Sequence, residues 1–261
     1  KLDNGMQVMI VENNKLPRVA MSLRFDNAPH AEGAKAGVSG IAGDLIGTGT
    51  KNMSKDEFNE KVDFLGARLN FYAGGANANT LSKYFPDVLA LMADGMINAE
   101  FTQEEFDKSK ARTIDGLKSS EKDVSYNARR VRSALAYGKD HPYGEFSTEE
   151  TVNAVKLEDV KSYYNTWFSP KNAYLVVVGD VDEDEVKDLV KKNFSSWTGK
   201  ATPEAKMPAV SNVKQTEINF VDMPNAVQSE IALVNTINLK KKDDDYFPVL
   251  VANKILGGGG E

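Results

Sequence analysis

Residues 37–52 read GVSGIAGDLIGTGTKN, and this stretch is the starting point for the fold. Its apolar residues recur at i, i+3, i+4, i+7 and i+8, which is typical of a helix with one buried face. These residues are Val38, Ile41, Ala42, Leu45 and Ile46. The opposite face carries Gly40, Gly43, Asp44 and Gly47. Because glycine in a helix costs about 1 kcal/mol relative to alanine, we expect either a closely packed neighbour or a lost side-chain role on this face.

The segments that follow this helix come in a characteristic order. A Gly-Thr-Lys-Asn turn at 49–52 leads to a second helix, which Ser54 and Glu57 begin with a capping box. The sequence LGARLN at 65–70 then predicts a strand over Leu69–Ala73. This order resembles the pitrilysin/insulinase-type metallopeptidases, the inverted zincins, whose zinc-binding helix carries the motif H-x-x-E-H.

The zinc motif of that family is degenerate in this chain. Counting back from the turn places it on residues 40–44, which read GIAGD, so both histidines and the glutamate are absent. A catalytic zinc needs about three protein ligands and a base for its bound water, and glycine supplies neither. The resemblance places the third ligand near Leu117, which is apolar. We therefore expect no metal and no catalytic residue at Gly40, Gly43 and Asp44.

A nonstandard metal site is the alternative to this interpretation. The chain has two histidines, His30 and His141, and neither has a histidine four residues further on. His141 begins the sequence HPYG, where a structural role in a turn is expected. By spacing alone, Glu121 is also a candidate for the third ligand. Asp44, Glu121 and His30 would then form the site of an active zinc-dependent endopeptidase.

The resemblance also implies a place for peptide substrates. In this family the strand after the second helix is the sheet edge beside the metal, where an extended peptide adds by backbone hydrogen bonds. The corresponding residues here are Asn70, Phe71, Tyr72, Ala73 and Gly74. The small residues GGANAN at 74–79 predict either a sterically open edge or a flexible hairpin tip.

Other segments extend the resemblance over nearly the whole chain. An Asn4-Gly5 turn precedes a first strand, which we expect to form an opening hairpin with a second strand at Arg18–Phe25. The sequences NTWFSPKNA at 165–173 and VVVGDV at 176–181 are typical of the family. They predict a central strand over Ala173–Val181.

The predicted fold class is α+β, with a mixed, mainly antiparallel sheet and helices packed on one face. Residues 1–198 form the first peptidase-like domain, and 199–215, with two prolines, has the composition of a linker. Residues 216–261 are expected to be the N-terminal part of a second, truncated repeat of the same domain. Its expected elements are strands at Ile218–Val221 and Ser229–Val234 and a helix at Tyr246–Leu256.

Composition limits the function further. The chain has 261 residues and is 41% hydrophobic, which is ample for a packed core. It contains no cysteine, so disulfides and thiolate metal sites are excluded. A net charge of −6 with interspersed acids and bases argues against a nucleic-acid partner, and no apolar run predicts a membrane span. Lack of cysteine fits a periplasmic and a cytoplasmic protein equally, and we give the periplasm a slight preference.

The resemblance implies a catalytically inactive member of the family that pairs with an active zinc peptidase subunit or half. Zinc would then be bound only by the partner, and this chain would contribute contacts to the peptide substrate. In the family, an arginine and a tyrosine in the second repeat of the silent partner help to hold substrate, and this sequence stops at Glu261, before that region. The alternatives are the active endopeptidase described above and a structural or peptide-binding protein without a catalytic partner.

Overall fold

The computed structural model describes residues 1–224 and 226–258. In this part of the chain the strands are β1 Gln7–Glu12, β2 Arg18–Phe25, β3 Arg68–Tyr72, β4 Gly75–Leu81 and β5 Ala173–Gly179. They form one five-stranded sheet in the order β1-β5-β2-β4-β3. Only β1 and β5 run parallel, and the other neighbours are antiparallel. The predicted mixed, mainly antiparallel sheet is confirmed.

The helices follow the local start signals of the sequence. They are α1 Val38–Leu45, α2 Lys55–Phe64, α3 Phe85–Ile97, α4 Gln103–Ser120, α5 Val124–Tyr137, α6 Glu149–Ala154, α7 Leu157–Trp167, α8 Glu183–Phe194 and α9 Tyr246–Asn253. Ser54 caps α2 in a capping box with Glu57, as predicted. The Thr102 side chain accepts a hydrogen bond from the Glu105 backbone N–H at the start of α4. No helix among the described residues combines the length and apolar character that crossing a bilayer requires.

The sheet has one buried face and one open face. Ala173, Leu175 and Val177 of β5 are fully buried, and the residues between them are only partly buried. β2 shows the same alternation, because successive side chains of a strand point to opposite faces. The helices cover the buried face, where apolar burial contributes about 25 cal/mol per Å². Met9 and Val11 of β1 stay 47% and 52% exposed on the open face.

The prediction of an opening hairpin is wrong, because β1 and β2 are not adjacent in the sheet. β5 lies between them, parallel to β1 and antiparallel to β2, and Leu175 is opposite both Val8 and Leu23. Second neighbours in a sheet are about 9–10 Å apart, a distance that the connection at 13–17 can span. β5 takes the interior place because its residues are apolar on both faces.

The chain after α8 forms little regular structure in its described part. Neither strand expected at Ile218–Val221 and Ser229–Val234 is formed there. Ile218 and Leu233 are 93% and 96% exposed, so no apolar surface among the described residues covers them. Isolated strand pairs are marginally stable in water, which accounts for the difference. The division of the chain at residue 198 stays a prediction.

The last predicted helix is formed but ends earlier than expected. It is α9, and a wider turn at Lys254–Gly258 follows it in place of the predicted continuation to Leu256. Gly257 within that turn has a φ of 126°, a value that favours glycine and interrupts the helix. The remainder of the predicted glycine-rich turn, residues 259–261, lies outside the described residues.

Candidate functional site

The glycine-bearing face of α1 packs directly against the end of β3. A Cβ atom at Gly43 would lie 2.3 Å from the Ala73 backbone nitrogen and 2.7 Å from the Tyr72 carbonyl carbon. One turn later, Gly47 has a φ of 82°, and a Cβ there would lie 2.7 Å from the Phe71 ring. Close packing therefore explains glycine at two of the three positions.

Gly40 is different from these two residues. It is exposed, and a Cβ atom built there would have no neighbour within 4 Å. A larger side chain would fit at this position, so packing does not require glycine. The expectation that a side-chain role was lost on this helix face can therefore apply at residue 40, and it stays a prediction.

Asp44 is exposed but makes a specific contact across the site. Its carboxylate accepts a hydrogen bond of 3.0 Å from the Ser109 hydroxyl on α4. Ser109 is fully buried, so this bond satisfies a polar group in the interface of α1 and α4. Sequence analysis missed Ser109. The signal for it was a small hydroxyl residue on the inward face of α4, one turn after Glu105.

The structure does not assemble the alternative metal site. Glu121 is exposed at the C-terminal end of α4, and His30 stacks on Trp167 with ring centroids 3.6 Å apart. The imidazole Nδ1 of His30 lies 3.0 Å from the Ala28 carbonyl oxygen. Across residues 1–224 and 226–258, no three His, Cys, Asp or Glu side chains are grouped to hold a metal ion. Asp44, Glu121 and His30 are therefore not brought together.

The remaining residues at the motif also do not fit a catalytic zinc. Leu117, near the position of the third ligand, is half-buried and packs against the core. Asp44 offers one carboxylate, which Ser109 already engages. With no imidazole beside it, that donor set is too small for a zinc site.

His141 has the structural role that the sequence indicated. It is 3% exposed, and its Nδ1 accepts a hydrogen bond of 3.0 Å from the Tyr143 backbone N–H. The ring also lies 5.2 Å, centroid to centroid, from Tyr137 at the end of α5. These contacts fasten the turn after α5 to the helix.

The predicted peptide-binding residues lie on β3 and in the turn after it. β3 is an edge strand with β4 as its sheet neighbour, so one side of its backbone is unpaired within the described sheet. Asn70 is exposed and Tyr72 half-buried on the open face of the sheet, whereas Phe71 points inward and packs 6.1 Å from Phe58. Ala73 and Gly74 connect β3 to β4.

The interpretation of residues 74–79 as a flexible hairpin tip is wrong for all but the first of them. From Gly75 onward they belong to β4, an interior strand that pairs with β2 on one side and β3 on the other. Ala76 and Ala78 are buried beneath the helices, where large side chains would not fit. The sheet edge is β3, the strand on which the resemblance placed it, and the steric openness of that edge stays a prediction.

Family models match most of this chain. The model for insulinase (peptidase family M16) matches residues 8–142, more than half of the sequence, and includes α1, β3 and α4. The model described as the peptidase M16 inactive domain matches residues 154–261. Both models describe domains of the M16 peptidase family, and together they cover residues 8–142 and 154–261.

Two curated proteins and one solved structure are similar over long stretches. Over 268 residues the chain is 24% identical to the uncharacterized zinc protease YmxG of Bacillus subtilis, covering 98% of this chain and 62% of that protein. Over 265 residues it is 23% identical to cytochrome b-c1 complex subunit 1, mitochondrial, of Bos taurus, covering 98% and 54%. The crystal structure of a protease from Helicobacter pylori superposes with a TM-score of 0.72 at 24% identity, covering 79% and 52%.

The similarities cover only part of each relative. The chain spans between half and two thirds of the length of the two curated relatives. The structural match shows that the fold is shared. Together with the family model over residues 8–142, the degenerate motif on α1 and the edge strand beside it identify the scaffold. The chain belongs to the insulinase-type peptidases, peptidase family M16.

Proposed function

We propose that this protein is a catalytically inactive M16 peptidase homologue that pairs with an active zinc peptidase subunit or half. Its own contribution is an edge strand that holds peptide substrate. The observation that carries the proposal is the contact of Gly43 with Tyr72 and Ala73. The glutamate of the family motif would occupy position 43, where the backbone of β3 leaves no space for a side chain.

This packing leaves no room for the glutamate that serves as general base in the family motif. A glutamate at position 43 would have to displace the end of β3, the strand that we propose to bind peptide. Catalysis and the present position of β3 are therefore incompatible in this chain. Zinc and its activated water would have to come from the partner.

The edge of β3 supports the peptide-binding part of the proposal. Backbone N–H and C=O groups on the outer side of an edge strand can pair with an extended peptide. Asn70 and Tyr72 extend from the open face beside that edge, and Gly40 leaves space on the helix side. A peptide strand would thus pair with β3 without displacing an element of the described fold.

Pairing with a second peptidase subunit is supported by the relatives. Cytochrome b-c1 complex subunit 1 is by name part of an assembly, and YmxG is named a zinc protease. Both are similar to this chain over 98% of its length. A scaffold shared between subunits of assemblies and peptidases favours a role beside an active partner.

Metal analysis and reconstitution test the proposal. We expect the purified chain to contain no stoichiometric zinc and to hydrolyse no peptide. Mixed with an M16 subunit that carries an intact H-x-x-E-H motif, it should raise hydrolysis above the level of that subunit alone. Stoichiometric zinc in this chain, lost together with hydrolysis on Asp44→Ala, would overturn the proposal.

A structural role without a catalytic partner is the second candidate, and the similarity to a subunit of the cytochrome b-c1 complex favours it. Sedimentation with candidate zinc peptidase subunits at micromolar concentration distinguishes the two. Failure to pair with any of them, together with retained peptide binding, would favour the second candidate.

A further inference from the structure

The open face of the sheet carries charge of one sign. Its charged side chains on the strands near the edge are Arg18 and Arg24 of β2 and Arg68 of β3, and all three are exposed. β2, β3, β4 and β5 contain no Asp or Glu, and the acid of β1 is Glu12 at its far end. The chain as a whole has a net charge of −6, so this face has the opposite sign.

The strand register places Arg68 on the proposed peptide edge and Arg24 two strands further in. Arg68 lies on β3 itself, opposite Asn79 of β4. Arg24 lies opposite Gly75, which in turn lies opposite Tyr72, so no β4 side chain separates Arg24 from Tyr72 on this face. The guanidinium Nε of Arg24 donates to the Ser22 hydroxyl, which extends from the same face.

None of the three arginines belongs to an ion pair among the described residues. The ion pairs found there join lysines to Asp or Glu on the helices and the turn before α1. The positive charge of the open face is therefore not neutralised by a contacting carboxylate within the described part of the chain.

An exposed acid lies on one of the helices that pack against this edge. Asp44 is exposed on α1, which packs against the end of β3. A peptide strand added to β3 would direct alternate side chains to the open face and to the helix side. Acidic side chains are favoured beside Arg68 and disfavoured beside Asp44.

We propose that the edge of β3 selects extended segments that carry acidic side chains at alternate positions, with uncharged residues between them. This rests on the proposed function, because it requires β3 to accept a peptide strand. The occupant is a segment of a substrate protein whose acidic residues all face the same way when it is extended.

Fluorescence anisotropy with the 261-residue chain and three labelled decapeptides tests this selection. The peptides alternate Thr with Glu, with Gln or with Lys, and the Glu and Gln side chains have nearly the same shape but differ in charge. Exposed ion pairs change affinity by roughly two- to fivefold each, and we expect the Glu peptide to bind tighter than the Gln peptide by that factor. The Lys peptide should bind weakest, and the differences should shrink in 0.5 M salt because salt screens exposed charges.

Two arginine variants locate the effect. Arg68→Gln should remove most of the difference between the Glu and Gln peptides. The matched control is Arg112→Gln, an exposed arginine on α4, which should leave it unchanged. Methylating the amide nitrogens of the six central residues of the Glu peptide should abolish binding, because the peptide can then no longer donate to the strand edge.

The outcomes separate the two proposals. If no peptide binds, the proposed peptide-binding function fails. Equal affinity for all three peptides, or tightest binding of the Lys peptide, would overturn the charge selection and leave the peptide edge intact. A dimer that dissociates on Arg68→Glu, in a protein that binds no peptide, would assign this face to a second copy of the chain and overturn both.

Discussion

At the scale of single residues, the two glycines of the degenerate motif have different physical roles. Gly43 permits a backbone contact with β3, whereas Gly40 meets no neighbour. Alanine is favoured over glycine in a helix by about 1 kcal/mol, but overpacking a core contact costs about 1–3 kcal/mol. Replacement by alanine should therefore destabilise the protein at position 43 and stabilise it at position 40.

The first prediction compares alanine at these glycines. Gly43→Ala should lower the free energy of unfolding by about 1–3 kcal/mol, because the Ala73 backbone would have to move. Gly40→Ala, its control, should raise the free energy by about 0.5–1 kcal/mol. Urea denaturation followed by circular dichroism measures both. Equal effects at the two positions would contradict the packing that we describe.

The second prediction concerns restoration of the zinc motif. The triple variant Gly40→His, Gly43→Glu, Asp44→His should take up little or no zinc. Its third ligand is missing at Leu117, and a side chain at position 43 collides with β3. Equilibrium dialysis with zinc and elemental analysis measures uptake, with Gly40→His, Asp44→His as a control that spares position 43. Tight, stoichiometric zinc in the triple variant would show that another residue supplies the third ligand.

The third prediction concerns the hydrogen bond from the Ser109 hydroxyl to the Asp44 carboxylate. Asp44→Ala should lower the free energy of unfolding by about 1–3 kcal/mol, because the buried Ser109 hydroxyl loses its carboxylate partner. Asp115→Ala, an exposed acid on α4, should change it by less than about 0.5 kcal/mol. Chemical denaturation measures the free energy of unfolding of both variants. If Asp44→Ala changes it as little as Asp115→Ala does, the hydrogen bond contributes nothing to stability.

At the scale of elements, α2 and α4 are joined by an ion pair at the start of α4. Lys55 donates to the Glu105 carboxylate at 2.7 Å, and Lys108 donates to it at 3.1 Å. Glu105 is 9% exposed, whereas the side chains of Lys55 and Lys108 that reach it are 42% and 54% exposed. The hydrogen bond from Lys55, followed by that from Lys108, holds the pKa of Glu105 below its ordinary value.

The fourth prediction follows from this lowered pKa. The folded state holds the Glu105 proton less tightly than the unfolded state. The ionised Glu105 carboxylate therefore stabilises the folded state above the ordinary carboxyl pKa. This stabilisation is lost as pH falls through the lower pKa that Glu105 has in the folded state. Glu105→Gln should flatten the decline of unfolding free energy between about pH 5 and pH 3. Glu104→Gln, at an exposed position, should keep the decline. Denaturation curves across this pH range test it, and an unchanged slope in Glu105→Gln would contradict it.

At the scale of the whole molecule, the ordered core and the chain after α8 differ in burial. The core residues extend from Met6 to Trp197. Beyond them, large apolar side chains such as Ile218 and Phe220 are 93% and 86% exposed. We propose that residues 1–198 fold as one domain and that the linker prediction for 199–215 holds.

The fifth prediction tests that division by limited proteolysis. Because local opening is easiest where few apolar contacts are buried, the first cuts should fall between residues 199 and 224. The product should keep its helical circular dichroism and its cooperative unfolding. Mass spectrometry identifies the cut sites. First cleavage within β2, β5 or α8 would show that the boundary is misplaced.

Some features were predictable from the sequence because they depend on neighbours along the chain. The start of α2 at Ser54 and of α4 at Thr102 follows from a side chain and a backbone N–H a few residues apart. The apolar periodicity of 38–46 predicted α1 and its buried face. The absence of histidine and glutamate at residues 40–44 is read directly from the sequence, and the expectation that no zinc binds there stays a prediction.

Other features depend on residues far apart in sequence, and only the tertiary structure decided them. The place of β5 between β1 and β2 requires Leu175 to meet both Val8 and Leu23. The bond of Asp44 to Ser109 joins two helices that local patterns do not relate. Such contacts form only when the sheet and its helices pack together, because they are stabilised by the surface that the two elements bury against each other. The sequence alone therefore determined which residue types stand at positions 40–44, and the packing decided which other residues they contact.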